Sequence, residues 1–283
     1  MLQPTRRIRG LVLALALALV PAALFAATAP SGPEIAVRVA TAGGAANPLV
    51  GVFPNGGFVV AWTTGSPTTV IHARLFAASG APASGEYRLV QPYNQFLDGL
   101  AVLADGGFVI VWEQTRPNNR RLTSVLARRF DRAGNPVTSP FVVHDPSPLS
   151  VYAATVAATP DGGFAIAWTA DIDVDTSPIL LNVRRDTFVR RFSAANRATG
   201  PAQLIAMGYT ADDSYLIPTA MAAGPDGTLV LASNCVCDQP GMALHRIPEG
   251  GGAANLDAPP FDNDELALDP GLAMAADGSF VVA

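Results

Sequence analysis

The sequence predicts an all-β fold, a β-propeller of four-stranded antiparallel blades in an incomplete ring of about five repeat units. Two observations carry that prediction. One stretch recurs five times: PNGGFVVAW (54–62), ADGGFVIVW (104–112), PDGGFAIAW (160–168), PDGTLVLAS (225–233) and ADGSFVVA (276–283). Its central glycines, Gly56, Gly106, Gly162, Gly227 and Gly278, are 50, 56, 65 and 51 residues apart, and a self-similar period near 50 signals a propeller or another repeat architecture. The second observation is apolarity on both faces of a strand. Along FVIVW, Phe108, Ile110 and Trp112 point one way, and Val109 and Val111 the other. A strand with one wet face alternates with polar residues; this one does not, so it must be covered on both sides.

Each unit resolves into four strands. An apolar run comes first: LVGVF (49–53), LAVL (100–103), TVAA (155–158), TAMAA (219–223) and GLAMA (271–275). An Asn-Gly or Asp-Gly turn follows, read as a tight two-residue hairpin with positive φ at both central residues. The FVIVW-type strand is second. The third is IHARLFAASG (71–80), VLARRFDRAG (125–134), FVRRFSAAN (188–196) and, more weakly, ALHRIPEGG (243–251). The fourth is EYRLVQ (86–91), FVVHD (141–145) and AQLIAM (202–207). Four short hairpin-linked strands per unit match one propeller blade. Trp62, Trp112 and Trp168, the only tryptophans, share one repeat position and are expected between blades. EIAVRVA (34–40) resembles a fourth strand and is expected to complete the last blade. The fifth unit stops after its second strand, so the domain is expected to be truncated at its C-terminus, with the blade total left open.

These strands resemble a family of repeats from large bacterial exported proteins, adhesin-like or haemolysin-like, of the form Asp-Gly-Gly-Phe-x-x-x-Trp, then x-Ala-x-Arg-Phe-Asp, then Gly-Asn. DGGFVIVW (105–112) and VLARRFDRAGNPV (125–137) carry the likeness best. The fourth unit departs from it, with Thr228, Leu229 and Ser233 at the Gly, Phe and Trp positions. The resemblance implies a propeller-like scaffold and transfers no catalytic residue.

Residues 1–29 read as a signal peptide: Arg6, Arg7 and Arg9, an apolar core LVLALALALV (11–20), and small residues for cleavage within 26–29. Ile8-Arg9 does not fit a twin-arginine signal. Residues 30–283 form the repeat domain, expected to be secreted or at the cell surface, with the periplasm as a further location. All 18 basic residues are Arg, which with abundant Ala, Gly and Pro fits a GC-rich genome. Past residue 29, 15 basic residues face 23 acidic ones, net −8. No nucleic acid and no membrane insertion after cleavage are expected.

Chemistry is sparse. His72, His144 and His245 are scattered without metal-ligand spacing, and no nucleophile elbow, His-Glu-x-x-His or phosphate loop occurs. Asp171, Asp173 and Asp175 alternate in DIDVD, yet Thr176 and Asn182 stand where an EF-hand needs Gly and an acid, so a solvated loop is expected. DNDELALD (262–269) reads the same way. Cys235 and Cys237, one residue apart, read as unpaired or strained structural cysteines. Arg128-Arg129, Arg184-Arg185 and Arg190-Arg191 are expected to pack between blades, with an anionic glycan or a partner's carboxylates as the alternative. No catalytic, cofactor or metal residue is assigned. The expected function is a non-catalytic exported scaffold for a protein or polysaccharide at the cell envelope, and the alternative is an extracellular propeller hydrolase or lyase acting on carbohydrate. Acids or histidines converging at the axis favour the enzyme; an axis of backbone and small side chains favours the scaffold.

Overall fold

A computed structural model describes residues 34–39, 44–65, 69–89, 95–116, 119–144, 150–173, 183–208, 215–236, 241–256 and 271–282. The signal-peptide segment, Asp175, Cys237 and residues 262–269 lie outside them. Residues 35–283 form one compact unit. Four sheets each have four antiparallel strands in sequence order. They are β1 (Ala45–Val52), β2 (Phe58–Thr64), β3 (Val70–Phe76) and β4 (Tyr87–Arg88); β5 (Gln95–Val102), β6 (Phe108–Arg116), β7 (Asn119–Phe130) and β8 (Phe141–Val142); β9 (Val151–Ala158), β10 (Phe164–Asp173), β11 (Val183–Phe192) and β12 (Gln203–Ala206); β13 (Tyr215–Ala223), β14 (Leu229–Val236), β15 (Gly241–Ile247) and β16 (Ala254–Leu256). A fifth unit contributes β17 (Leu272–Met274) and β18 (Phe280–Val282). The first strands β1, β5, β9, β13 and β17 touch in succession. This is a β-propeller.

The second strand is where the sheets join. Phe108, Ile110 and Trp112 pack with Val59, Ala61 and Ile71 of the preceding sheet. Val109 and Val111 pack with Phe164, Ile166 and Trp168 of the following one, and Ala165 and Ala167 pass the pattern on to Leu229 and Leu231. Val109 and Val111 are fully buried. Each such side chain contributes roughly 1.5–3 kcal/mol by leaving water, and the gain exists only where a neighbouring sheet stands opposite. Trp112 and Trp168 are buried between sheets, whereas Trp62, expected there too, is buried against Val60 and Phe76 of its own sheet and Val37.

The hairpins differ from the expected form. Only the glycine of each Asn-Gly or Asp-Gly pair has positive φ, as at Gly106 (+80°). Gly106 N–H donates to the Leu103 carbonyl at 2.9 Å and Leu103 N–H to the Gly107 carbonyl at 2.8 Å. This is a type I turn closed by a left-handed glycine, the next commonest hairpin. The Asp105 carboxylate accepts the Gly107 N–H at 2.9 Å, which is why Asn or Asp precedes the glycine.

The repeated arginines are clamps. Arg128 Nη1 donates to the Leu89 carbonyl of the preceding sheet at 2.9 Å, and Arg190 Nη1 to that of Val143 at 3.2 Å. Arg129, nearly buried, donates to Asp105 at 2.5 Å and to the Ala194 carbonyl of the following sheet. By strand register the fourth unit places His245 where Arg74, Arg128 and Arg190 stand. His245 is buried, its Nδ1 has no hydrogen-bond partner, and burial holds its pKa below 6.5.

Because the folded state disfavours protonated His245, its contribution is present above pH about 6.5 and lost as pH falls towards the lowered folded value. The melting temperature should therefore fall on acidification from pH 7 to 5. His245→Gln should remove that component of the slope, as read by calorimetry against pH.

Candidate functional site

The two ends of the propeller differ in kind. At one end the first and second strands of every unit are joined by five residues, and three of the four third-to-fourth connections have ten. At the other end the connections vary from two to nine residues between second and third strands, and from six to fifteen between units. Variable connections on a constant scaffold are where function concentrates.

At the uniform end, residues 52–54, 102–104, 158–160, 223–225 and 274–276 surround an axial cavity of about 500 Å³. Its lining is apolar and small: Val, Phe, Pro, Leu, Ala, Gly, Met and one Thr. Among the described residues no titratable side chain lines it.

Toward the other end every complete first strand is irregular at the same place. The register slips between Ala46 and Leu49, between Leu97 and Gly99, at Tyr152–Thr155, and between Pro218 and Ala220. Bulges re-aim side chains and are common beside active sites. In the second unit the bulged residue is Asp98. Its carboxyl takes a hydrogen bond from the Glu113 backbone N–H, while Oδ2 is closed off from solvent with no partner. The residue as a whole keeps some exposed surface. Burial first, and then the charge of Glu113, hold the Asp98 carboxyl well above the usual carboxylate range. Burial also raises Glu113, against the opposing pull of the Ala153 N–H, which donates to Glu113 Oε1 at 2.6 Å from the next sheet. Ala153 is itself held at φ +51°, a costly conformation for a residue with a Cβ. Behind the pair, Gln114 Oε1 accepts from Trp112 Nε1 at 3.4 Å and from Gln95 Nε2 at 3.3 Å.

Two neighbouring acids, both shifted toward the neutral form and Asp98 the more strongly, form the arrangement that separates acid and base roles. The equivalents of Asp98 are Pro48, Ala154 and Thr219, and those of Glu113 are Thr63, Thr169 and Asn234. Aligning the units column by column would have exposed the pair. Motif scanning missed it because a single Asp in a strand matches no signature.

The residues singled out in the sequence do not converge. His72 Nε2 is 2.9 Å from Thr64 Oγ1 and stacks on Trp62, His144 is buried in the second sheet, and His245 occupies the clamp position. Asp171 lies in β10 and pairs with Arg185 at 3.3 Å, and Arg185 stands over the Tyr215 ring at 4.7 Å. Arg184 pairs with buried Asp186 at 2.6 Å. Asp173 is the last residue of β10, so it and Asp171 are strand residues rather than the solvated loop expected of them. Among the described residues no group of three His, Cys, Asp or Glu is placed to hold a metal. Cys235 is disulfide-bonded, so of the two alternatives, unpaired or strained cysteines, the unpaired one fails. Among the described residues no helix is long and apolar enough to cross a membrane.

No family model and no curated protein matches the chain. Solved structures do. A protein of unknown function from Dyadobacter fermentans superposes with a TM-score of 0.57 at 12% identity, over 84% of this chain and 74% of that one. The Hadza microbial sialidase Hz136 gives 0.53 at 10% identity, over 75% of this chain and 46% of its own. Penicillium chrysogenum α-L-arabinanase complexed with arabinobiose gives 0.51 at 15% identity, over 82% and 69%. The shared feature is the propeller. The expectation of a non-catalytic scaffold is corrected here: two of these three propellers bear the names of carbohydrate-active enzymes, and Asp98 and Glu113 supply the paired acids that the scaffold reading does not require.

A raised folded-state carboxyl pKa stabilises at pH below the unfolded value near 3.8, and that contribution is lost as pH rises through the folded value. Asp98→Asn should therefore melt higher than the parent at pH 7, with the gap closing by pH 4. A variant that melts lower at pH 7 contradicts the raised carboxyl pKa.

Proposed function

We propose that this chain is an exported propeller enzyme cleaving the sugar linkages of an extracellular polysaccharide, as a hydrolase or lyase, with Asp98 and Glu113 as its acid pair. The observation that carries the reading is the departure of both positions from the repeat, on a bulged first strand, with one carboxyl oxygen buried and unpartnered. Hydrolysis of a glycosidic bond needs a proton donor for the leaving oxygen and a carboxylate on the sugar's other side. The donor is the carboxyl shifted further toward its protonated form, so Asp98 takes that role. Its proton goes to the glycosidic oxygen as the C–O bond breaks. Glu113, once ionised, either accepts the proton of the incoming water or stabilises the cationic sugar. The propeller likeness to the sialidase and the arabinanase supports the substrate class, and the leader pattern of residues 1–29 supports export.

The test is a panel of neutral and acidic plant, algal and bacterial polysaccharides, read by new reducing ends and by the ultraviolet absorbance of unsaturated lyase products. Cleavage of at least one member is expected, with Asp98→Asn and Glu113→Gln each slowing it about 100-fold or more while the melting transition stays cooperative. No product from any member by either readout would sink the enzyme reading.

A further inference from the structure

We infer that the exposed ring of Phe96 is the surface on which this site holds its sugar, and that the sugar is uncharged, so the chemistry is hydrolysis rather than elimination. This rests on Asp98 and Glu113 being the acid pair, and it names what they act on.

Phe96 stands directly across from Glu113 in the β5–β6 register, so the two side chains leave the same face of the second sheet with Cβ atoms about 4.5–5.5 Å apart. Asp98 follows Phe96 closely along β5, at the bulge. That face of β6 carries Val109 and Val111 and is turned to the third sheet. Further along β5 it is shut, because a Cβ added at Gly99 would come within 2.8 Å of Val156 Cγ1. At Phe96 the same face is open, since that residue is 51% exposed. The seam between the second and third sheets therefore parts beside the acids, and an aromatic ring stands in the gap.

The backbone beneath the ring is fixed. Gln95 and Leu97 on either side are buried. Gln95 N–H donates to Thr69 Oγ1 at 2.6 Å, and Gln95 Nε2 donates to Gln114 Oε1 at 3.3 Å. A large apolar ring left half in water forgoes the gain that burial brings, and a ligand that covers a ring already held in place recovers that gain at little cost in ordering. A sugar suits it. Its hydroxyls lie at the edge, and many sugars present a patch of C–H groups on one face. That patch lies flat on an aromatic ring, whose negative face attracts the C–H hydrogens. The edge, with its glycosidic oxygen, is left to the neighbouring polar groups, which here are Glu113 and Asp98.

The acids also set the charge of the sugar. Glu113 already raises Asp98, and among the described residues no arginine or histidine adds to the charge acting on either carboxyl. In the third sheet Arg184 and Arg185 are held by Asp186 and Asp171. A sugar carboxylate would bring a further like charge to the pair. Elimination needs that carboxylate, because the proton it removes lies beside it. Hydrolysis does not: water oxygen bonds to the sugar carbon as the C–O bond breaks, and the leaving oxygen takes the Asp98 proton.

The test takes galactan, β-glucan and arabinan as neutral polymers and polygalacturonate and alginate as acidic ones. Cleavage is followed by steady-state kinetics, and binding by the retardation of Asp98→Asn in gels holding each polymer. A neutral polymer should be cleaved to new reducing ends without unsaturated product. Phe96→Ala should raise KM roughly tenfold or more, change kcat by less than about threefold, and abolish the retardation, with its melting temperature near that of the parent. Phe96→Trp should restore KM and retardation. If Phe96→Ala leaves both as they were, or if only acidic polymers are cleaved, the inference is overturned and the enzyme reading stands. If no polymer is cleaved, the enzyme reading falls; retardation in a neutral gel that is lost with Phe96→Ala would still uphold the binding surface, and its absence would overturn that as well.

Discussion

The structure depends on one constraint: a central strand in each sheet with no face fit for water. An isolated four-stranded sheet built on FVIVW would present Phe, Ile and Trp on one side and two valines on the other. Only a row of sheets satisfies it, and the row then fixes the rest. First strands fall together along an inner line, and fourth strands form a rim. Because burial is not directional, polar contacts must set the stacking register. The arginines do this, since a guanidinium held by a carbonyl of the sheet before, or by the turn of the sheet after, fixes each sheet in place.

That division of labour leaves the propeller ends free for other uses, and they have diverged. The end with uniform turns encloses an apolar axial cavity. The opposite end carries the connections of uneven length, the bulges and Asp98 with Glu113. A carboxyl pushed toward its protonated form by burial and by a like neighbour costs stability at neutral pH, and the strained Ala153 adds to that cost. Such local expense is tolerated where geometry serves a reaction. Glu113 takes the Ala153 N–H of the next sheet, yet the remaining units stack with Pro, Ala and Thr at one of these positions and Thr and Asn at the other.

The fold was legible because it is written in repeated, short-range patterns. Gly106 marks a turn, Val109 and Val111 demand cover, and Trp112 marks a buried column. The hairpin type was misread because Asp-Gly suits two turns, and only the backbone shows that Asp105 avoids positive φ and caps the Gly107 N–H instead. The site was not legible in the same way. Asp98 gains its chemistry from a register slip and from a residue fifteen positions later, and neither has a local signature. Arg128, Arg129, Arg190 and Arg191 reach neighbouring sheets, whereas Arg184 and Arg185 are taken up by Asp186 and Asp171 of their own sheet. Partner carbonyls such as those of Leu89 and Val143 follow only from three-dimensional placement. The three aspartates of DIDVD misled in the other direction. Asp171 and Asp173 alternate along a strand, β10, in which Asp171 meets Arg185 across the sheet.

The central claim, that sheet-on-sheet burial of the second strands holds the molecule together, is tested most directly by native-state hydrogen exchange. Amides of Val109–Val111 and Ala165–Ala167 should exchange only with global unfolding, tracking its free energy across denaturant. If they exchange by local opening at rates close to those of the exposed turns at Ala133 and Ala194, the second strands are not sandwiched and the account fails.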